Sequence, residues 1–588
     1  MIKISDLGRL DNLLALGMLS AMFLSLFASA WNDSAVMDEL AHLPAAYSYV
    51  TLKDMRLNPE HPPLIKDLAG LPLLLLNPNF PTDTPYWKDG VNGQWAQGAI
   101  FLYESGNDPD KILRLARLPV MLLAILFGWL LFLWVRSLYG SKVALLTLFF
   151  YVLSPTFLAH SRYVTTDLGA AFGFFIGIAT FLRFLERQTL KRFIVAALAF
   201  GAAQLLKFSL FLLVPVYFVL AVLWVFLEVR QSAEERSFLK ELFLLLFKIF
   251  LVGLAGFALV WGVYLWHVWN YPPERQYRDT ELLLSSFGFR PAVDLNLWLI
   301  KNEILRPLGQ YLLGLLMVIQ RSAGGNTTYY LGEVSAAGWR SYFPVAYLLK
   351  ETFAFHILTL WAVFLALREI VAAKKKSAGW RMDAVWDWIR NNFQISASLI
   401  FIAIYWAWSV KSPLNIGVRH VLPTFPFIYF LVSRQLARRL YRSPVSLLCL
   451  WIFASMTAAF PFYLSYYNEL VGTSQGYRYI VDSNYDWGQD LKRLKETMED
   501  KKIDKIYLDY FGGGSPRHYL GEKFEPWSSA QGVPPSGSYF ALSATLLQSA
   551  TGRPVKGFEI KPADSYSWLK GLEPVKRAGR SIFIYRIP

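Results

Sequence analysis

Apolar runs of about twenty residues, separated by short polar turns, fill the chain from residue 11 to residue 464. A helix of that length crosses the hydrocarbon core of a bilayer, so the pattern predicts a polytopic α-helical membrane protein. The candidate spans are 11–30, 114–135, 143–159, 168–185, 192–206, 208–227, 242–266, 343–367, 396–410, 418–433 and 444–464, about eleven transmembrane helices in all. Leu13 to Ala30 follows Lys3 and Arg9 without a small-residue cleavage site, and reads as a retained first helix rather than a signal peptide. Beyond 465 the apolar runs stop. A helical stretch near Trp487 to Glu499 and alternating segments at Lys505 to Tyr510, Ser538 to Ser543 and Ser581 to Ile587 predict a small α/β domain over 465–588. Asp486 with Gln489 three residues on reads as a capping box that starts its helix.

Composition agrees: 55% of the 588 residues are hydrophobic and the mean hydropathy is +0.33. The formal charge of +15 would suit a nucleic-acid binder if its cations formed one patch. They sit instead in short turns: Arg136/Lys142, Arg187/Lys191/Arg192, Arg230/Arg236/Lys240, Lys374/Lys375/Lys376 and Arg434/Arg438/Arg439/Arg442. These fall on alternate turns of the zigzag, and the positive-inside rule makes that side cytoplasmic, so nucleic acid is not an expected partner. By parity the opposite, outer side holds the loop 31–113, the turn His160 to Asp167, the loop 267–342, the turn Lys411 to Arg419 and everything after 465. Cys449, the single cysteine, lies in an apolar run and forms no intrachain disulfide. ATP and nucleotide sugars are cytoplasmic, so outer-face chemistry points to a lipid-linked donor.

The outer turns carry the polar chemistry. The first loop contains Asp38-Glu39-x-x-His42, then Tyr47-Ser48-Tyr49, then Leu57-Asn58-Pro59-Glu60-His61-Pro62-Pro63-Leu64-x-Lys66. A helix over 36–50 puts Asp38 and His42 on one face and turns Glu39 about 100° away. One carboxylate can then face an acceptor while the other orients it; alternatively, both merely charge the N-terminus of a juxtamembrane helix. Asp167 closes the hairpin His160-Ser161-Arg162-Tyr163-Val164-Thr165-Thr166-Asp167, where chemistry and helix capping compete in the same way. Lys66, Arg162, Lys207 and the pair Arg419-His420 offer cations for a phosphate, or snorkel to the headgroups without a ligand. Asp38/His42 and Glu60/His61 match no specific metal motif. Asp482 to Asp490 resembles the start of an EF-hand loop, but Trp487 stands at the sixth position and Arg493 at the twelfth, which disfavours calcium. Gly512-Gly513-Gly514 follows a strand and leads into Ser515-Pro516, a tight loop rather than a phosphate cradle.

Taken together these motifs resemble the bacterial protein O-mannosyltransferase-like, polyprenyl-phosphate-dependent glycosyltransferases of the GT-C type. Further along, Leu331-Gly332-Glu333, Gly338-Trp339, Tyr342-Phe343-Pro344, Gly417-x-Arg419-His420-x-Leu422-Pro423 and Asp482-Ser483-Asn484-x-Asp486-Trp487-Gly488-Gln489-Asp490-Leu491 are similar to later signatures of that family. The resemblance implies a transmembrane GT-C catalytic domain over 1–464, with outer loops 31–113 and 267–342, and an extracytoplasmic α/β domain over 465–588. It implies transfer of a hexosyl or pentosyl group from a polyprenyl-phosphate carrier to a hydroxyl of a protein, lipid or glycan, with inversion. Asp38 would be the general base, Glu39 its support, and Asp167 a contact to acceptor or carrier. His42, Tyr47, Glu60, His61, Lys66, Arg162, Lys207, Arg419 and His420 complete the candidate substrate-binding set. Glu60 and His61 stand where the aminoarabinose transferases carry an acidic–basic pair, with His61 in place of a lysine. The loop 267–342 is too short for the β-trefoil module of the eukaryotic mannosyltransferases. No cofactor is required beyond the polyprenyl-phosphate sugar as donor substrate, and a divalent metal is left open. The implied location is the cytoplasmic (inner) membrane, multi-pass, with site and C-terminus on the extracytoplasmic side. The main rival is a secondary transporter or flippase of a lipid-linked or anionic substrate. Against it stand the absence of two-fold repeats and the clustering of charge at one face instead of the midplane.

Overall fold

A computed structural model describes residues 4–232, 236–376, 382–440, 443–561 and 565–588. Lys3 and Arg442, part of the charge pattern above, lie outside the described residues. The chain is mostly helical. Seven helices among the described residues are long and apolar enough to cross a membrane: Arg9–Ala30, Pro109–Tyr139, Asp167–Glu186, Phe208–Gln231, Phe238–His267, Phe353–Ala372 and Phe393–Lys411. This is an integral membrane protein.

The other expected spans are helical but shorter, for reasons that lie in the sequence. The 143–159 run divides into Ser141–Val152 and Pro155–His160, because Ser154 caps the second piece through the Phe157 N–H and Pro155 takes its first position. The 343–367 run, by contrast, supplies the Phe353–Ala372 span named above, preceded by a separate helix Tyr342–Lys350, with the break at Glu351-Thr352. The 418–433 run opens as a tight 3₁₀ turn, Val418–Thr424, before Phe425–Leu436, with Pro423 and Pro426 at the change. Leu190–Gln204 and Ser443–Ala459 are single shorter helices.

The first outer loop folds into helices, of which Met37–Leu52 carries Asp38. Asp38 and Glu39 occupy its first turn, where the helix dipole favours negative charge. Glu39 takes the capping role, accepting the Val36 N–H at 3.0 Å. Its carboxylate also accepts two bonds from Arg117, at 2.8 and 2.7 Å, and the Val164 N–H at 3.1 Å. Pro44 leaves the Leu40 carbonyl without its helical donor, and Gly98 packs so close to that oxygen that a Cβ there would lie 1.8 Å away.

Three of the C-terminal strands match the expected segments: Ile506–Asp509, Tyr539–Ser543 and Ile582–Arg586. With Phe524–Pro526 and Lys576–Ala578 they form a five-stranded sheet in the order 524–526, 506–509, 539–543, 582–586, 576–578, the first three strands parallel and the last two antiparallel. One face packs Ile506, Leu508, Ala541, Ile582 and Ile584 against Leu491, Leu494 and Met498 of the Leu491–Asp500 helix. That helix starts four residues later than expected, and no capping box forms at Asp486. Asp486 accepts the Thr545 N–H instead, while Gln489 Oε1 accepts the Trp487 N–H, so both side chains are spent on holding the loop. A smaller sheet, Thr328–Tyr330, Glu333–Ser335 and Arg553–Pro554, ties the 267–342 loop to the C-terminal region.

Buried ion pairs fasten the outer elements together. Arg117 and Glu39 are both fully buried, and Arg117 also donates to the carbonyls of Ala30, Asp33 and Ser34. Asp33 accepts from Arg493 at 2.8 Å and Tyr163 at 2.7 Å and pairs with Arg162 at 3.3 Å, so it joins the first loop, the 160–167 turn and the C-terminal helix. Burial alone would raise the Asp33 pKa; Arg162, Arg493 and Arg117 outweigh it and hold the carboxyl below its ordinary value. Removing one partner of such a pair strands a buried charge at a cost of about 3–5 kcal/mol. Arg117→Leu should therefore lower the unfolding temperature in detergent markedly, and Glu39→Gln/Arg117→Leu should recover part of the loss. Wild-type melting of Arg117→Leu would show that the pair does not hold the loop.

Candidate active site

The outer turns that the charge pattern assigns to one side converge around a cavity of about 560 Å³. Met37–Leu52 presents Asp38 and His42 to it, one helical turn apart on the same face, as their spacing requires. Glu60 and His61 come from the following turn, Thr166 and Asp167 from the start of the Asp167–Glu186 helix, and Lys207 from the connection ahead of Phe208–Leu212. Arg419 and His420 come from the Val418–Thr424 turn.

A chain of alternating charges runs through this cavity. Lys207 Nζ lies 2.6 Å from Asp167 Oδ1. Arg419 Nη1 lies 3.1 Å from Asp167 Oδ2 and 2.9 Å from Asp38 Oδ2. Asp167 is fully buried and caps nothing: Thr166 holds the N-cap position without a side-chain bond, and both Asp167 oxygens are taken by cations. Asp38 is the open end of the chain, its side chain 27% exposed into the cavity. The Arg419 guanidinium lies over the Trp487 ring, 4.3 Å from its centroid. Burial opposes its charge, but Asp167, Asp38 and Asp482 overcome that and hold it protonated.

Glycine makes the Arg419 turn possible. Gly417 has φ of +119°, and a Cβ there would lie 2.4 Å from Ser483 Oγ. Ser483 Oγ in turn donates to the Ile416 carbonyl at 2.8 Å.

Burial disfavours the charged form of all three cavity histidines. Burial first, then Lys66, pushes His42 down to about 4. Burial with His42 and Lys66 depresses His61, and burial with Lys207 and Arg419 depresses His420. The His42 and His61 rings stack with centroids 5.1 Å apart. Glu60 accepts from Gln94 at 2.6 Å and Asn92 at 3.1 Å. Lys207, Arg419 and Arg321, the last from the Arg306–Gly324 helix, bring the cationic side chains to the cavity.

Four of the twelve candidate residues do not line the cavity: Glu39, Tyr47, Lys66 and Arg162. Lys66 is fully buried and donates to Tyr49 Oη, Asn58 O, Asn58 Oδ1 and His61 O at 2.8–3.0 Å, so it shapes the 57–61 turn from behind. Burial brings its pKa down to about 7, with Glu60 and Asp67 resisting. Arg162 pairs with Asp33 and donates to the Pro461 carbonyl at 3.1 Å. Tyr47 is buried and donates to Asn77 Oδ1 at 3.3 Å. Conversely, Arg321, Asp482, Trp487, Phe511, Thr545 and Ser549 line the cavity without having been singled out as binding residues. The dense Asp482–Asp490 segment carries the signal: its resemblance to a family signature marks it, whereas its local pattern reads only as a calcium-like loop or a helix cap. Among the described residues, no group of three or more His, Cys, Asp or Glu side chains converges to hold a metal ion.

Residues 111–261 match the family model described as dolichyl-phosphate-mannose-protein mannosyltransferase, and over that segment the resemblance read from the motifs is borne out. Among curated proteins, none matches. Of solved structures, the S. cerevisiae protein O-mannosyltransferase Pmt1-Pmt2 complex bound to the sugar donor is 19% identical with a TM-score of 0.34. The match covers 46% of this chain and 34% of that one, so it spans about a third of the yeast chain's length. ArnT from Cupriavidus metallidurans, apo and bound to undecaprenyl phosphate, is 12% identical in each case with a TM-score of 0.30, over 97% of both chains.

A side chain at Gly417 would sit in a backbone region that only glycine enters freely and would have to displace Ser483, a strain of about 1–3 kcal/mol. Gly417→Ala should lower thermal stability by that order in a detergent melt. An unshifted melt would show that the 417–483 contact is not tight.

Proposed function

We propose that the chain is an inverting glycosyltransferase that moves a hexosyl or pentosyl group from a polyprenyl-phosphate carrier to an acceptor hydroxyl at the extracytoplasmic face of the cytoplasmic membrane. The observation that carries the reading is Asp38: a carboxylate open to a cavity at the ends of membrane helices, its counter-charge already in place and further cations beside it. The family match over residues 111–261 supports the class of reaction.

The chemistry follows from what each group can still do. Asp38 has an oxygen without a protein partner among the described residues, and takes the acceptor's proton as the hydroxyl oxygen attacks the anomeric carbon. The bond to the carrier phosphate breaks on the opposite face, and the phosphate leaves with the electron pair. Phosphate is a good leaving group, so no second carboxyl acid is needed, in contrast to a glycosidase that must protonate an alkoxide. Asp167 orients Lys207 and Arg419 but uses only part of their donor capacity. Arg419 Nη2 and two of the Lys207 N–H bonds have no protein partner among the described residues, and are free to bind phosphate oxygens as charge develops. Glu39, behind the wall, fixes the first turn from which Asp38 projects.

Asp38→Asn keeps shape and removes basicity, so transfer of sugar from the carrier should fall by at least about 100-fold. Binding of undecaprenyl phosphate, followed by native mass spectrometry in nanodiscs, should stay near wild type. Undiminished turnover would remove Asp38 from the role of base.

A further inference from the structure

The cavity has two unlike walls. On one, Leu212 and Trp408 belong to candidate membrane spans and accompany Lys207, Ser209 and Tyr405. Apolar span surface beside a cation suits a carrier whose polyprenyl tail stays in the bilayer while its phosphate meets Lys207. The other wall comes from the C-terminal region: Asp482, Trp487, Phe511, Thr545 and Ser549. Among the described residues, no lysine or arginine from beyond residue 465 lines the cavity. A wall that carries a carboxylate, aromatic rings and hydroxyls but no cation of its own suits a neutral, hydroxylated molecule better than a phosphate. Asp38 lies between the two walls.

Asp482 is held in place for such a contact. It adopts the left-handed region, φ +57°, which Asp tolerates better than most residues. Its N–H donates to Thr545 Oγ1 at 3.1 Å, and its Oδ1 accepts the Ser483 N–H at 2.7 Å. Among the described residues, Oδ2 accepts no hydrogen bond. Burial raises its pKa to about 6, with Arg419 opposing and Asp38 adding, which places it within the electrostatic reach of the base.

We infer that Asp482 is an acceptor-binding residue, its free carboxylate oxygen accepting a hydrogen bond from a hydroxyl of the acceptor, and that the C-terminal wall is the subsite for an uncharged, hydroxyl-rich acceptor. This rests on the transferase reading above and adds which side the acceptor occupies and what it is made of. An acceptor with a phosphate beside its reacting hydroxyl would bring that charge up to Asp482 and Asp38, with Arg419 already paired to Asp38, and is disfavoured by the same geometry. Transfer then requires the donor on the span side and the acceptor on the C-terminal side, with the proton passing to Asp38.

Asp482→Asn tests this cleanly, because asparagine tolerates the same backbone and keeps the Oδ1 bond to Ser483 while losing the charge. The full-length wild type and variant are expressed in cells lacking the endogenous copy. The sugar-bearing glycoconjugate and the pool of polyprenyl-phosphate sugars are then quantified by mass spectrometry. Undecaprenyl phosphate binding to the purified proteins is measured in nanodiscs. The expected result is a loss of transfer of tenfold or more, accumulation of the donor, undecaprenyl phosphate binding within twofold of wild type, and a modified hydroxyl remote from any phosphate. Unchanged transfer, or a fall in undecaprenyl phosphate binding in step with transfer, overturns the role of Asp482. A modified hydroxyl adjacent to a phosphate overturns the acceptor class. A wild type that restores no glycoconjugate overturns the transferase reading and this inference with it.

Discussion

A single guanidinium organises the cavity end of this molecule. Arg419 is bonded to Asp38 of the first loop and to Asp167 at the start of a membrane helix, and lies over Trp487 of the C-terminal region. Two carboxylates held on one guanidinium in a poorly solvated cavity would, without it, repel and drive their helices apart. With Arg419 and Lys207 interleaved, two negative and two positive charges balance. The helices can therefore meet, and the open end of the chain, Asp38, keeps an oxygen for chemistry.

The rest of the outer architecture keeps those groups in register. The backbone N–H of Met37 donates to the Trp487 carbonyl at 3.0 Å and that of Ser34 to the Gln489 carbonyl at 3.1 Å. The residue that stacks on Arg419 thus also anchors the helix bearing Asp38. Asp490 strengthens this joint by accepting from Arg493 and from the N–H groups of Arg580 and Ser581. The C-terminal region is consequently a wall of the cavity, coupled to the membrane helices through backbone and ionic bonds rather than resting on them. On the proposed reading, the base, the carrier's cations and the acceptor's wall meet only because these joints hold.

Much of this is legible in the sequence where one strong force acts alone. Hydrophobic runs mark the helices, and alternating cationic turns foretell that Asp38, Asp167, Lys207 and Arg419 share a side. The three C-terminal strands follow from their alternation. Legibility fails where several weak preferences compete. Asp38 and Glu39 are identical in local pattern, and only the packing of Arg117 decides that Glu39 is buried as the cap while Asp38 faces the cavity. Lys66 and Arg162 are cations near span ends, like Lys207, yet backbone carbonyls and Asp33 absorb them. Asp486 has the spacing of an N-cap but is taken by Thr545, a partner 59 positions away that no local pattern reveals. Asp482 stands in a motif similar to a family signature, but its place in the cavity is hidden for the same reason: its neighbours across the cavity are more than sixty residues distant.

The central claim, that this charged cavity transfers a sugar from a polyprenyl-phosphate carrier, is tested most directly by comparing the membranes and envelope glycoconjugates of cells with and without the chain by mass spectrometry. The account predicts a glycoconjugate lacking one defined sugar, together with a build-up of that sugar on its polyprenyl phosphate. Glycoconjugates and carrier pools that are identical in the two cell types would contradict it.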